Sequence, residues 1–214
     1  MKKPRLRTGR RIAPQRIVNL TDAVFAIVMT ILVLELSVPL LVEISAHDGQ
    51  DQMLLELRSD LLIYALSYLI LGVFWLAHHW LFENIKKYDS TLAWMNLIFL
   101  LFVALIPFSM AILGEYGVTQ AIARIYGANM LLPFFMIWLM WLYATVNYRL
   151  VDSHISRKVV KGGRIMGASY VFVILFAIGI SFISPVASFA IYALIIVVNM
   201  VFAIIGREEE AMVG

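Results

Sequence analysis

Residues 17–40 read IVNLTDAVFAIVMTILVLELSVPL, an apolar run in which Asp22 and Glu35 are the only ionisable side chains. At 1.5 Å per residue, a helix of this length crosses the ~30 Å hydrocarbon core of a bilayer. Basic residues precede the run, as in a signal peptide, but it is too long for one and lacks a small-residue cleavage site. The stretch therefore predicts a transmembrane helix.

The composition of the whole chain agrees with this prediction. Hydrophobic residues make up 62% of the 214 residues and charged residues 14%, against roughly 45–50% and roughly 25% in soluble domains. These values exclude a water-soluble enzyme and a disordered chain. Because the chain has no cysteine and four histidines, we expect no disulfide framework, no iron–sulfur or structural zinc site, and no cofactor.

The fold class that remains is an all-α polytopic membrane protein. We predict six transmembrane helices, at about residues 17–40, 60–83, 91–113, 124–148, 165–184 and 186–206. The connections are short and polar, so residues 1–214 are expected to form one domain. Pro107 and Pro133 lie inside the third and fourth spans and should kink them.

The basic residues predict the orientation of the helices. Fifteen of the 17 Lys and Arg residues lie before the first span, in the second or fourth connection, or after the last span, and only Arg58 and Arg124 lie on the other side. The positive-inside rule then places both termini in the cytoplasm, with the protein in the cell membrane. The net charge of +3 reflects this asymmetry, so it indicates membrane lipid and no nucleic-acid partner.

Several polar side chains share one predicted depth near the cytoplasmic mouth, although an ionisable group inside a span costs ~2.5–3.5 kcal/mol on the insertion scale. They lie on the first three helices and are Arg16, Thr21, Asp22, His78, His79 and Asn96. They predict either a buried polar staple that ties the first helix to the next two, or a gate or proton-sensitive latch. A metal site lacks a third ligand, and Thr21 has no base at helical spacing for catalysis.

A stripe of the first helix is a second candidate site. Its members recur at i, i+4, i+7, i+8 and i+11, and they are Ala23, Ile27, Thr30, Ile31 and Leu34. Such a stripe indicates ordinary helix packing or, with copies arranged around an axis, a narrow hydrophobic pore with one ring of hydroxyls. Glu35, in the outer third of the helix, either reaches the outer interface or concentrates cations at the outer mouth.

The first helix resembles that of the transmembrane protein 175 family of potassium channels. Their first span carries Arg-x-x-x-Phe-Ser-Asp, and residues 16–22 read RIVNLTD, with Leu20 and Thr21 in the positions of Phe and Ser. Segments 74–79 (FWLAHH), 94–97 (WMNL) and 104–108 (ALIPF) are also similar. The similarity is strongest over residues 16–110.

The resemblance implies a homotetramer of six-helix subunits in which the first helix lines a central pore for potassium ions. It assigns the hydrophobic constriction to Ile27 and Leu34, with Ile31 between them, and the hydroxyl layer linked to selectivity to Thr30. The sequence contains no Thr-Val-Gly-Tyr-Gly filter, so any potassium selectivity must arise without a carbonyl filter.

Two other functions compete with a cation channel. A proton-coupled secondary transporter would use Asp22, His78 or His79, and Glu35 as proton relays, but no inverted repeat or matching pair of broken helices is evident. An intramembrane enzyme would need a nucleophile–base or metal-ligand pair, and none stands at a convincing spacing. The chain is therefore predicted to be a non-enzymatic channel.

Overall fold

The computed structural model describes the backbone of residues 14–36 and 47–213, and the side chains of residues 15–36, 58 and 61–199. The described chain is helical, with one isolated antiparallel bridge between Ile85 and Val151. The helices are α1 (Pro14–Ile31, extended by a 3-10 turn at Leu32–Glu35), α2 (His47–Asn84), α3 (Ser90–Ala104), α4 (Ile106–Tyr116), α5 (Gln120–Thr145), α6 (Arg157–Ile180) and α7 (Pro185–Val213).

Five stretches of the described residues are long and apolar enough to span a membrane. They are Gln15–Glu35, Leu61–Asn84, Ser90–Tyr116, Gln120–Tyr148 and Arg157–Ile180. The apolar part of α7 is described over Pro185–Asn199, which is shorter. Each of the six predicted spans therefore coincides with a helix, and the last part of the first span, residues 37–40, lies outside the described residues.

Two helices begin much earlier than the apolar pattern predicts. α2 begins at His47, inside the predicted connection 41–59, and α6 begins at Arg157 rather than at residue 165. Ser156 caps α6 by accepting a hydrogen bond from the Lys158 N–H at 3.2 Å. In both cases the helix continues into polar sequence, because hydropathy locates the membrane and does not locate the end of backbone hydrogen bonding.

The third span is interrupted near Pro107, where the sequence predicts a kink. The helix ends at Ala104 and resumes at Ile106, and the Leu105 N–H turns to the Phe102 carbonyl at 3.2 Å. Proline has no N–H to donate to the carbonyl four residues earlier, which breaks the ladder at this point. α5, by contrast, runs through Pro133 as one helix.

α5 lies in the middle of the bundle and buries side chains along its whole length, from Ile122 to Thr145. Against α6, the indoles of Trp138 and Trp141 occupy the space beside Gly167 and Gly163, where a Cβ would collide with them. α1 packs on α2 and α3 at the edge of this arrangement. Only one face of α1 is covered as a result.

Candidate functional site

α1 has two faces with different surroundings. The buried residues recur at helical spacing and are Ile17, Thr21, Phe25, Val28 and Leu32. On the opposite face, the side chains of Ile27, Ile31 and Leu34 are 58%, 38% and 77% exposed, and Ala23 and Thr30 are exposed beside them. The predicted stripe is therefore not packed within the described part of its own chain, which leaves it available to another copy, to lipid or to a pore.

Thr30 is the one hydroxyl on this stripe. Its Oγ1 donates a hydrogen bond to the Ile27 carbonyl at 2.8 Å. Because the hydroxyl hydrogen is directed to the helix backbone, the oxygen lone pairs remain as acceptors. Such an oxygen can face a cation without first turning its hydrogen away.

The buried part of the polar cluster joins three helices. Thr21 on α1 accepts a hydrogen bond from Asn96 Nδ2 on α3 at 3.1 Å, and Asn96 Oδ1 lies 2.8 Å from His78 Nε2 on α2. All three side chains are buried, and the His78 ring stacks on Phe82 and Phe99. The structure thus brings together Thr21, His78 and Asn96, and His78 rather than His79 joins them.

The hydrogen bond that Thr21 donates determines which group donates in each of the other bonds of this cluster. Thr21 Oγ1 donates to the Ile17 carbonyl at 3.1 Å, so its oxygen must accept, and the Asn96 NH₂ group faces it. Asn96 Oδ1 then accepts from His78, which carries a hydrogen on Nε2. Since a carboxamide at the centre has no titratable proton, the chain is suited to holding helices together and poorly suited to relaying protons.

The remaining cluster members lie on a more exposed layer. Asp22 Oδ1 accepts a hydrogen bond from Trp75 Nε1 at 2.9 Å, and the Trp75 ring stacks on His79. His79 in turn pairs with Glu83 one turn further along α2, at 3.2 Å between Nε2 and Oε1. Asp22 therefore reaches α2 through an indole and contacts neither predicted histidine directly.

Arg16 and Glu35 lie apart from both layers. Arg16 is exposed and borders an open cavity of about 310 Å³ between α1 and α3, which Asn96 and Leu97 also line. Glu35 is half-buried in the 3-10 turn that ends the outer part of α1. Among the described residues, no group of three or more His, Cys, Asp or Glu side chains could hold a metal ion.

Trp75 is a member of this site that the sequence analysis did not single out. The available signal was its position inside an apolar span, three residues before His78. An indole N–H at that depth needs an acceptor, and Asp22 is an unmatched acceptor of the same predicted depth. Pairing the two unmatched groups would have predicted the contact.

The long apolar helices define a multi-pass membrane protein, one of whose helices, α1, carries an uncovered stripe and contributes to a polar cluster. The profile of the family described as endosomal/lysosomal potassium channel TMEM175 matches residues 16–107. A potassium channel of Chamaesiphon minutus is 31% identical over 176 residues, covering 79% of this chain and 84% of that protein. The chain belongs to the TMEM175 family.

Two further comparisons extend the similarity beyond the matched segment. A potassium channel of Streptomyces collinus is 26% identical over 184 residues, covering 84% of this chain and 88% of that protein. The crystal structure of a lysosomal potassium-selective channel TMEM175 homolog from Chamaesiphon minutus superimposes with a TM-score of 0.78 at 26% identity, covering 88% of this chain and 96% of that one. These relatives are named as channels and not as enzymes.

Proposed function

We propose that this protein is a potassium-permeable cation channel of the cell membrane. Four copies of the single six-helix domain, residues 1–214, surround a central pore lined by α1, with both termini in the cytoplasm. The observation that carries the proposal is the stripe of α1 that faces away from its own bundle. Ile27, Ile31 and Leu34 are exposed there, while the opposite stripe is buried.

The constriction follows from the chemistry of this stripe. Rings of Ile27, Ile31 and Leu34 cannot replace the water around an ion, so they form a narrow and poorly hydrated passage that gates by dewetting or steric closure. Thr30 supplies the one oxygen layer within it. Potassium, which loses its hydration shell more readily than sodium, crosses such a passage at lower cost.

A carbonyl filter has no part in this proposal. Tyr-Gly, which is part of the carbonyl-filter motif, occurs at Tyr116-Gly117 and Tyr126-Gly127. We assign these residues to packing and to a helix end. Tyr126 is buried with its hydroxyl 3.0 Å from Ser67 Oγ, and Gly127 lies against Tyr192. Gly117 ends α4 with a φ of 70°.

The polar cluster has a positioning role in this channel. The chain through Thr21, Asn96 and His78 fixes the inner end of α1 against α2 and α3, so the stripe faces a constant direction. Arg16, Asp22 and His79 line the inner mouth, where Asp22 adds negative charge to the entrance. Proton-coupled transport, the competing function, would need a relay from Asp22 to a histidine, whereas the Asp22 carboxylate accepts its hydrogen bond from the Trp75 indole.

Flux from liposomes tests the proposed function. Purified protein is reconstituted with an outward potassium gradient, and flux is compared with that in sodium-loaded vesicles and in vesicles with an imposed proton gradient. We expect potassium flux far above carrier turnover and independent of the proton gradient. Flux that requires a proton gradient would replace the channel by a transporter.

Ile27→Asn tests the constriction itself. A polar ring admits water where isoleucine excluded it, so potassium flux should rise and larger cations should pass. The matched control is Leu175→Asn, a comparable change at an exposed apolar position of α6, which should leave flux unchanged. Unchanged flux and size cut-off in Ile27→Asn would move the constriction elsewhere on the stripe, with Leu34 as the next candidate.

A further inference from the structure

Arg164 lies near the start of α6, where it has a neutral partner. Its Nε and Nη2 donate to Thr145 Oγ1 at 3.1 and 3.0 Å, while the Thr145 hydroxyl donates to the Trp141 carbonyl at 2.7 Å. The ion pairs among the described side chains are His79–Glu83 and Arg149–Asp89. Arg164 is thus a half-buried guanidinium whose charge no described carboxylate neutralises.

A cavity of about 420 Å³ opens beside this guanidinium. Thr145, Val146, Asn147, Tyr148, Val160 and Arg164 line it. Asn147 and Tyr148 have φ angles of 51° and 53°, and this left-handed pair turns the chain away from the axis of α5 and leaves the space open. A water molecule occupies about 30 Å³ of liquid, so the cavity has room for a phosphate group with some of its hydration.

The surroundings of the cavity are strongly basic. Arg157 and Lys161 precede Arg164 at helical spacing, on the same side of α6. The segment 149–164 contains five Lys and Arg residues and one carboxylate, Asp152. Asp152 is exposed and accepts a hydrogen bond from the His154 N–H at 2.9 Å, so it does not face Arg164 as a partner.

The cavity lies at the depth of a membrane surface. Trp138 Nε1 donates to the Arg164 carbonyl at 3.0 Å, and Trp141 Nε1 donates to the Val160 carbonyl at 3.2 Å. Indoles concentrate at the boundary between hydrocarbon and water, and the stretch of α6 that carries no charged residue begins directly after Arg164, at Ile165. This is the side on which the basic residues accumulate, which is where anionic phospholipids attract them.

We propose that this cavity binds a phosphate group, supplied by the headgroup of an anionic phospholipid. The planar guanidinium of Arg164 matches two phosphate oxygens in a bidentate geometry. Lys161 and Arg157 add positive charge on the same side of α6, and the Thr145 hydroxyl holds the guanidinium in place. The site is separate from α1, so it does not depend on the proposed function.

Native mass spectrometry of the purified protein tests the site. Dioleoyl phosphatidylglycerol is titrated against dioleoyl phosphatidylcholine, with and without millimolar inorganic phosphate as competitor. We expect phosphatidylglycerol to bind more tightly than phosphatidylcholine. Arg164→Gln should weaken the binding of phosphatidylglycerol about tenfold, because it removes one charge-assisted bidentate contact. Lys158→Gln removes the same charge from another face of α6 and should change affinity less than about twofold.

A second variant keeps the test valid if Arg164→Gln misfolds. The double variant Arg157→Gln/Lys161→Gln leaves the bond between Arg164 and Thr145 intact, and it should weaken phosphatidylglycerol binding about fivefold or more. Inorganic phosphate that fails to compete supports a lipid source, and phosphate that displaces the lipid supports a free phosphate ester in the same site. Equal affinity for phosphatidylglycerol and phosphatidylcholine would overturn the proposal. An equal loss of phosphatidylglycerol affinity in Arg164→Gln and Lys158→Gln would also overturn it.

Discussion

The Trp75 side chain provides the hydrogen-bond donor for an acidic group, Asp22, inside an apolar span. Asp22 lies in a helix whose other face is buried against α2 and α3, yet its carboxylate is exposed on the outer side of the bundle. The Trp75 indole donates to it at 2.9 Å. The bond stabilises a charged acceptor next to the proposed pore entrance without neutralising its charge.

Trp75→Phe tests this contribution, since phenylalanine keeps an aromatic ring beside His79 and loses the N–H together with part of the indole. A hydrogen bond to a charged group contributes about 1.5–3 kcal/mol, so we expect a lower unfolding temperature in detergent. Trp94→Phe is the matched control, because Trp94 is largely exposed. Equal unfolding temperatures for the two variants would show that the bond to Asp22 does not stabilise the fold.

Thr30 is the residue at which we expect the proposed pore to select potassium over sodium. Thr30→Ala removes the oxygen layer at nearly unchanged width, and we expect the preference for potassium over sodium to fall about threefold or more, since one hydrogen-bond equivalent is about 0.5–1.5 kcal/mol. Thr30→Ser keeps the hydroxyl and should retain most of the preference. Reversal potentials under bi-ionic conditions measure both, and equal loss in the two variants would argue against a role for the oxygen.

Among the elements, the start of α3 is held by one carboxylate that sequence reasoning did not single out. Asp89 caps the helix by accepting from the Leu92 N–H at 2.9 Å, and it also accepts from the Tyr143 hydroxyl at 2.6 Å on α5. Arg149 lies 3.5 Å from the same carboxylate. Beside it, the N–H groups of Lys86 and Lys87 both donate to the Leu150 carbonyl. Two connections are thereby joined on the basic side of the bundle.

These partners set the protonation of Asp89. Partial burial acts to raise its pKa, but the hydrogen bonds from Tyr143 and Leu92 and the charge of Arg149 outweigh burial and hold the pKa below its usual value. A carboxyl group with a depressed pKa stabilises the fold fully above its unfolded pKa of about 3.9. That contribution is lost as the pH falls through the lower, folded pKa.

Asp89→Asn tests this arrangement, because asparagine still caps a helix but carries no charge. We expect the variant to unfold at a lower temperature than the wild type at pH 7, and the difference to shrink as the pH falls below about 4. Asp152→Asn, at an exposed carboxylate, should show little difference at either pH. A gap for Asp89→Asn that is independent of pH would rule out the charged contacts as its cause.

The elements also show which features were predictable from sequence. Apolar run lengths located a helix or helix pair at each of the six predicted spans, and Pro107 located the break between α3 and α4. The early start of α2 was not predictable from hydropathy, since residues 47–59 are polar enough for a loop and equally compatible with a helix in water.

For the site, the predicted depth in the membrane grouped Asp22 with His78 and His79, whereas hydrogen-bond pairing depends on which helix face each residue occupies. That geometry brought His78 to Asn96 and Trp75 to Asp22.

At the scale of the whole molecule, one subunit leaves an apolar helix face uncovered, and the proposed symmetric assembly accounts for the polar groups that accompany it. Lipid could cover Ile27, Ile31 and Leu34, but the exposed Thr30 oxygen on this stripe and the exposed Asp22 carboxylate near one end of α1 gain nothing from hydrocarbon. A closed ring of copies places them along water instead. The apolar and polar residues of α1, considered together, therefore favour the proposed tetramer.

Ile27→Cys tests this assembly, because the chain has no other cysteine to confuse the result. A disulfide requires Cα atoms about 4.4–6.8 Å apart, which a narrow constriction approaches and separated subunits in lipid do not. Oxidation of the reconstituted protein should give covalent dimers from Ile27→Cys, and native mass spectrometry should give the mass of four copies. Val28→Cys, one residue along on the buried face, should give no covalent dimer. Monomers from both variants, together with a native mass below four copies, would remove α1 from the centre of the assembly and leave its exposed stripe to lipid.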